Sequence, residues 1–167
     1  MNARAVELAA RLGFALGAHV QSRSSFDRKH YRYPDLPHGY QITQQRSPIA
    51  LGGSLDVFVD KKAVGGVGGA DDGSKRLTLR VERLQLEIDT GKSSVASDGA
   101  TTVDLNRAGS TLVEIVTAPD LRGAEEAASA AETFQRVVRF LGVGDANMEE
   151  GSMRVDVNVS HRTRDGA

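Results

Sequence analysis

The sequence predicts an α+β protein with a mainly antiparallel sheet and flanking helices. Two long stretches, one in each half of the 167-residue chain, show the periodicity of amphipathic helices. Between them, short stretches alternate apolar and polar residues as half-buried strands do, and they follow one another through turns rather than through helices. Strands and helices segregated in this way are typical of α+β proteins, and the length suits one domain.

The N-terminal part predicts one helix, a loop and a strand. Apolar residues at helical spacing predict a helix from Ala5 to Val20, and Gly17 marks its C-terminal end loosely. The segment from Gln21 to Gly39 is interpreted mainly as a loop, because Pro34 and Pro37 cannot continue a helix or the interior of a sheet. A short alternating strand is predicted from Leu55 to Val59.

A long alternating stretch in the middle of the chain changes phase. The glycine-rich segment Lys61 to Lys75 is predicted to be an exposed connection between two strands of a hairpin. Apolar residues then alternate from Leu77 to Val81, and again from Leu84 to Ile88 in the opposite phase. A one-residue slip exchanges the two faces of a strand, so we expect a β-bulge near Glu82 and Arg83.

Three further elements are predicted towards the C-terminus. A strand is expected from Thr111 to Thr117. Apolar residues on one stripe predict a helix from Ala124 to Leu141, which Gly142 ends. Alternating valines predict a last strand from Ser152 to His161.

Composition excludes several kinds of function. Net charge is -1, from 21 basic and 22 acidic residues, so the chain has no general electrostatic affinity for nucleic acid, and we expect no DNA partner. The absence of cysteine excludes disulfides, thiolate metal sites and cysteine nucleophiles. No apolar run is long enough to predict a membrane span. Two arginines near the N-terminus suit a transit peptide, but Glu7 and the helical pattern favour a folded helix.

The predicted last strand carries a row of polar side chains. Arg154, Asp156 and Asn158 would lie on one face at intervals of roughly 6.5–7 Å. Asp and Asn supply hard oxygen ligands and Arg pairs with phosphate, so the row would suit a metal-bound phosphate. The pattern alone favours the simpler interpretation, which is the solvated face of a half-buried strand.

Acidic residues interrupt two other predicted strands. Glu114 lies at the centre of the apolar run Leu112 to Val116, where an unpaired buried carboxylate would be costly. A metal, a basic partner or an exposed strand face would each remove that cost. Glu87 and Asp89 share one face at a strand end, with Lys92 after a glycine turn. That arrangement suits Mg²⁺ and nucleotide phosphates, although an ordinary charged hairpin end has the same pattern.

The segment Phe26 to Asp35 is rich in basic and aromatic residues. Such a loop can contact RNA through stacking and charge, or it can be pinned over the core by its tyrosines and prolines. Its density of functional groups favours a binding site, because binding residues concentrate on loops.

Four motifs together resemble a known family. They lie at Phe26 to Gln44, Leu86 to Ser93, Val103 to Arg122 and Met148 to Ser160. They are similar to the catalytic cradle of the B subunit of the glutamyl-tRNA(Gln)/aspartyl-tRNA(Asn) amidotransferases and of the E subunit, its archaeal relative. The resemblance implies that residues 1–167 are part of a glutamine synthetase-like cradle that holds a nucleotide.

The resemblance also implies a two-step reaction. Mg²⁺ and ATP would serve to phosphorylate the side-chain carboxylate of a misacylated Glu-tRNA(Gln) or Asp-tRNA(Asn), and ammonia from the glutaminase, which is the A subunit, would then displace phosphate. The implied partners are the A and C subunits, which would form a heterotrimer with this one, and the misacylated tRNA. No membrane partner is implied.

Site residues follow from the resemblance by position. It implies a metal site made by Glu87, Glu114 and Asp156, with Asp89 in the acidic cluster and Lys29 near the ammonia route. The implied nucleotide and phosphate side consists of Lys92, Glu150, Arg154, Asp156 and Asn158.

Several departures from the family pattern bear on activity and location. Ile88 replaces a glutamate that ligands the metal in bacterial members, and Gln85 replaces their histidine. Both changes favour a mitochondrial over a cytoplasmic location. The resemblance implies that the family's first strand would precede Met1 and that its C-terminal helical and tail domains would follow Ala167, so the chain is expected to be a fragment that is inactive alone. The alternative is a degenerate, non-catalytic copy that acts as a binding module.

Overall fold

The structure is a computed structural model that describes residues 1–59 and 75–161, and it confirms the α+β class with antiparallel strand pairing. The chain divides into two compact units. The first contains Met1–Asp56 and Thr78–Asp120, and the second contains Val57–Leu77 and Leu121–Ala167. The predicted glycine-rich connection lies largely outside the described residues.

Helix α1 spans Ala3–Ala15, which is shorter than the predicted helix. The side chain of Asn2 caps its first turn by accepting a hydrogen bond from the Arg4 amide at 2.9 Å. Gly17 adopts a left-handed conformation with φ of 66° and ends the helix, so His19 and Val20 form a strand instead. Leu12 is fully buried and anchors α1 in the first unit.

The strands of the described residues are β1 (His19–Val20), β2 (Asp27–His30), β3 (Tyr40–Thr43), β4 (Ala50–Leu51), β5 (Ser54–Val59), β6 (Lys75–Ile88), β7 (Lys92–Val95), β8 (Thr101–Asp104) and β9 (Thr111–Thr117). The main sheet has the order β1-β4-β6-β5, and β9 also pairs with β6. Strands β2 and β3 form one separate antiparallel hairpin, and β7 and β8 form another. The segment from Gln21 to Gly39, which was interpreted mainly as a loop, therefore also contains the short strand β2.

The predicted β-bulge is confirmed. Val81 pairs with Thr117 and Arg83 pairs with Val116, so β6 advances two residues while β9 advances one. Leucines and valines are consequently buried on both sides of the bulge, at Leu79, Val81, Leu84 and Leu86.

The second helix, α2, spans Ala124–Phe140, and its end is one residue before the predicted one. Gly142 follows it with φ of 62°, as expected for a C-terminal stop. None of the helices that the structure describes is long and apolar enough to cross a membrane.

The predicted last strand is wrong. Residues 152–161 have no regular secondary structure, and Val159 is 88% exposed. Alternation produces a strand only where a neighbouring strand supplies backbone hydrogen bonds and a surface covers the apolar face. The described residues provide neither for this segment.

Candidate active site

The antiparallel register between β6 and β9 brings polar residues of the first unit onto one face. Gln85 lies directly opposite Glu114, and Glu87 lies opposite Leu112. Residues directly opposite each other point to the same face of a sheet, and so do residues two apart on one strand. Arg83, Gln85, Glu87 and Glu114 therefore share a face.

Glu87 is a buried carboxylate that side chains of the protein solvate. It is 8% exposed, and its Oε1 accepts hydrogen bonds from Thr43 Oγ1 at 2.5 Å and from Gln85 Nε2 at 2.9 Å. Gln41 Nε2 donates to the other oxygen, Oε2, at 3.2 Å. These donors replace the water molecules that burial removes, so they offset the desolvation free energy of the buried carboxylate.

Two of those donors come from β3 and were not predicted as site residues. Gln41 and Thr43 are buried, whereas Tyr40 and Ile42, which alternate with them, are only half-buried. A short strand that buries its polar residues more completely than its apolar ones indicates a polar partner across the interface. The sequence shows the alternation but not which face is covered.

The amide of Gln85 joins two carboxyl groups. Its Nε2 donates to Glu114 Oε2 at 2.6 Å as well as to Glu87 Oε1. Its Oε1 accepts a hydrogen bond from Arg83 Nε at 2.8 Å. The chain of contacts runs from a guanidinium through one amide to two carboxyl groups.

Glu114 is exposed as a residue, but its carboxyl group lies against Glu87. Partial burial of the carboxyl raises the pKa of Glu114 above its ordinary value, and the negative charge of Glu87 and a hydrogen bond between the two groups raise it further. The Gln85 hydrogen bond and the positive charge of Arg83 act in the opposite direction. A cation and a proton would compete for these two carboxyl groups, because metal ligands must be deprotonated.

The carboxyl pair fits one mode of magnesium binding. Across residues 1–59 and 75–161, no three or more His, Cys, Asp or Glu side chains form a group that could hold a metal ion. Mg²⁺ is commonly held by one or two carboxylates and completes its shell with waters and phosphates, so two converging carboxyl groups suit it. The structure thus brings Glu87 and Glu114 together, while Asp156 belongs to the second unit.

Three other predicted residues belong to the first unit. Asp89 follows β6 and forms an ion pair with Arg107, with 3.6 Å between Oδ2 and Nε. Lys29 is exposed on β2, and its Nζ lies 5.9 Å from the centroid of the Tyr31 ring. Lys92 is exposed at the start of β7.

The predicted residues of the second unit lie in its C-terminal segment. Glu150 accepts a hydrogen bond from Asn147 Nδ2 at 3.2 Å. Arg154, Asp156 and Asn158 are exposed, and the segment that carries them is not a strand. The prediction that these side chains form a row above a sheet is therefore wrong, because it required a strand at these positions.

The basic and aromatic segment Phe26 to Asp35 is pinned by its own contacts. Arg28 lies over the ring of Tyr40, with 5.4 Å from Cζ to the centroid, and the Tyr31 amide donates to the carbonyl of Gly39 at 3.1 Å. These contacts join the segment to β3 and its turn, but Tyr33 and Pro34 are exposed, so the segment is not pinned over the core as that alternative required; RNA contact remains a prediction.

Comparison with known proteins identifies the family. Residues 1–167 match the family model described as the GatB/GatE catalytic domain. The chain is 83% identical over its whole length to the chloroplastic/mitochondrial B-2 subunit of the glutamyl-tRNA(Gln) amidotransferase of Micromonas commoda, and covers 29% of that protein. It is 59% identical over 98% of its length to the chloroplastic/mitochondrial B subunit of the corresponding protein of Ostreococcus tauri, covering 30% of it.

A bacterial relative is similar over the same region. The chain is 43% identical over 99% of its length to the B subunit of the aspartyl/glutamyl-tRNA(Asn/Gln) amidotransferase of Thermomicrobium roseum, of which it covers 32%. The chain thus spans about three tenths of the length of the curated relatives it matches. It belongs to the GatB/GatE catalytic domain family.

Proposed function

We propose that this chain is part of the B subunit of a tRNA-dependent amidotransferase, within its glutamine synthetase-like catalytic cradle. The observation that carries the proposal is the pair of carboxyl groups of Glu87 and Glu114, held together by a common amide donor. The names of the similar proteins support the same role.

The reaction is activation of a carboxylate followed by amide formation. The side-chain carboxylate of Glu-tRNA(Gln), or of Asp-tRNA(Asn), attacks the γ-phosphorus of ATP and forms an acyl phosphate while ADP leaves. The lone pair of ammonia then attacks the acyl carbon, the carbon–oxygen bond to phosphate breaks, and the amide remains after loss of a proton. Activation is needed because a carboxylate resists attack by an amine, whereas phosphate is a good leaving group.

Glu87 and Glu114 would hold Mg²⁺, which offsets negative charge on the transferring phosphoryl group when it is bound. Thr43 and Gln41 hold Glu87 in place from β3. Gln85 holds both carboxylates from within β6. These contacts orient the carboxylate oxygens before any ligand arrives.

The remaining assignments are part of the same proposal and rest on position within the family motifs. Lys92, Glu150, Arg154, Asp156 and Asn158 would bind the nucleotide, with Asp156 also a metal ligand, while Asp89 supports the acidic cluster and Lys29 lies near the ammonia route. The partners would be the A and C subunits and a misacylated tRNA. Relatives described as chloroplastic/mitochondrial support an organellar location, and the location that we propose is the mitochondrion.

Ile88 supports a second candidate function, a binding module without catalysis. Its side chain offers no oxygen at a position where the family pattern has a metal-binding glutamate, and it lies on the face of β6 opposite to Glu87, so this chain lacks a ligand that such a relative would have there. A complex that contains this protein would then form normally but would not hydrolyse ATP in the presence of Glu-tRNA(Gln). The same assay therefore distinguishes the two functions.

The test replaces Glu114 by alanine in the full-length protein, assembled with its partner subunits. Ammonium chloride supplies nitrogen, so that the measured steps are independent of the glutaminase. We expect ATP hydrolysis that depends on Glu-tRNA(Gln) to fall by at least about 100-fold, because metal stabilisation of the transition state is worth several kcal/mol.

Glu132→Ala is the matched control, because this carboxylate lies on α2 and is 60% exposed beside Arg136. It should leave the activity unchanged. Unchanged activity of Glu114→Ala would remove the carboxyl pair from the mechanism, and no tRNA-dependent ATP hydrolysis in the unaltered complex would favour the binding module.

A further inference from the structure

We propose that Arg83 is a positioning residue that acts through Gln85 to hold Glu87 and Glu114 ready for a divalent cation. The proposal rests on the function proposed above. It concerns residues that do not themselves contact the cation.

The first step of the argument is the asymmetry of an amide. The two hydrogens on Gln85 Nε2 are directed towards Glu87 Oε1 and Glu114 Oε2, at 2.9 and 2.6 Å. If the amide were rotated by half a turn, its oxygen would face two carboxylates and repel both. One orientation of Gln85 therefore holds the pair together, and the other separates it.

Arg83 selects the orientation that holds the pair. Its Nε donates to Gln85 Oε1 at 2.8 Å, and a guanidinium has donors but no acceptor. The amide nitrogen cannot take the position beside Arg83, so it faces the carboxyl groups. Arg83 also polarises the amide, which strengthens the two hydrogen bonds donated on the other side.

The bulge in β6 places Arg83 where it can act in this way. If β6 alternated regularly through this region with no bulge, Arg83 and Gln85 would lie on the same face as Val81, which is buried. The bulge reverses the phase, so the leucines at 84 and 86 continue the apolar face and Arg83, Gln85 and Glu87 form the polar one. Bulges beside active sites commonly redirect side chains.

Arg83 has a second neighbour besides Gln85. Its Nη1 lies 3.8 Å from Glu82 Oε2, and the arginine side chain is 31% exposed. That exposed contact is weak, whereas the contact to the buried amide of Gln85 fixes the position of the guanidinium. The hydrogen bond by which Arg83 positions the carboxyl pair thus runs through Gln85, beside the direct effect of its positive charge on Glu114.

The experiment measures Mn²⁺ binding by electron paramagnetic resonance in the full-length protein assembled with its partner subunits, and needs no turnover. Gln85→Met should weaken Mn²⁺ binding by about 10- to 100-fold, as loss of a residue that orients ligands commonly does. Arg83→Met should weaken it by about 10-fold. The double variant should bind as Gln85→Met does, because the hydrogen bond that Arg83 donates has no acceptor once the amide is gone.

Two further variants keep the result interpretable if a methionine variant folds poorly. Arg83→Lys retains a donor for the amide oxygen and should recover most of the affinity. Arg80→Met is the matched control: Arg80 lies on the same strand and pairs with Asp120, with 2.6 Å between Nη2 and Oδ1. It should leave Mn²⁺ affinity unchanged.

The outcomes separate this proposal from the one on which it rests. If Glu114→Ala leaves Mn²⁺ binding unchanged, the cation site is wrong and the positioning role falls with it. If Glu114→Ala weakens binding but Arg83→Met does not, or if the losses from Arg83→Met and Gln85→Met add, only the positioning role is overturned.

Discussion

Removing the hydroxyl group of Thr43 would measure how much a buried hydrogen-bond donor to the carboxylate of Glu87 contributes to the stability of the fold. Thr43 is 2% exposed, and its Oγ1 donates to Glu87 Oε1 at 2.5 Å. It also receives a weak hydrogen bond from Gln85 Nε2 at 3.3 Å. Thr43→Val removes these interactions and leaves the volume of the side chain almost unchanged, so packing contributes little to the result.

The expected cost follows from the partners that remain. A hydrogen bond to a charged group contributes about 1.5–3 kcal/mol, and Glu87 Oε1 still accepts from Gln85 Nε2 at 2.9 Å after the change. The loss should therefore lie in the lower half of that range, and we expect the free energy of unfolding to fall by about 2 kcal/mol.

Urea denaturation followed by circular dichroism at pH 7 measures this loss. Thr78→Val is the control, because Thr78 Oγ1 donates to Asp56 Oδ1 at 2.7 Å in an exposed position. Water replaces that bond, so its loss should change the free energy of unfolding by less than about 0.5 kcal/mol. Thr43→Ser keeps the donor and should recover part of the stability. Equal costs for the two valine variants would refute the idea that burial makes Glu87 depend on Thr43.

Two further predictions concern stability. The raised pKa of Glu114 means that the folded protein holds a proton more tightly than the unfolded chain, so the free energy of unfolding falls as pH rises from about 4.5 through the folded pKa. In urea titrations with EDTA present, Glu114→Gln should be no more stable than the natural protein at pH 4. Above pH 4 the variant should become increasingly more stable than the natural protein. A Cβ at Gly53, with φ of 103°, would lie 2.7 Å from the Leu16 carbonyl oxygen, whereas one at Gly52, with φ of 71°, would meet nothing within 4 Å. By the same titration Gly53→Ala should therefore cost at least about 2 kcal/mol, and Gly52→Ala only about 1 kcal/mol from backbone strain.

The sequence predicted those features that local patterns determine. The bulge near Glu82 was recognised because the apolar residues on either side of it alternate in opposite phases. The end of α2 was placed within one residue because Gly142 can adopt the left-handed conformation that ends a helix. Both signals lie within a few residues of the feature that they predict.

The errors have a common origin in contacts that are distant in sequence. Gln41 and Thr43 reach Glu87 across 46 and 44 residues, so no local pattern marks them as part of the site. The alternating valines of residues 152–161 predicted a strand, but a strand also needs a neighbour to hydrogen-bond with. Helix α1 was predicted too long because Gly17 was treated as a weak signal, although it changes the direction of the chain.

The two faces of β6 explain why the carboxyl pair needs the hairpin of β2 and β3. Leu84 and Leu86 occupy the apolar face after the bulge, so Gln85 and Glu87 must occupy the other, yet these two are also only 5% and 8% exposed. A strand can bury an acidic face only if the layer that covers it supplies hydrogen-bond donors. Strand β3 meets that requirement because its buried residues are the polar ones. The buried polar residues of β3 are thus needed because β6 carries a buried carboxylate, and that carboxylate can be buried only because β3 supplies donors.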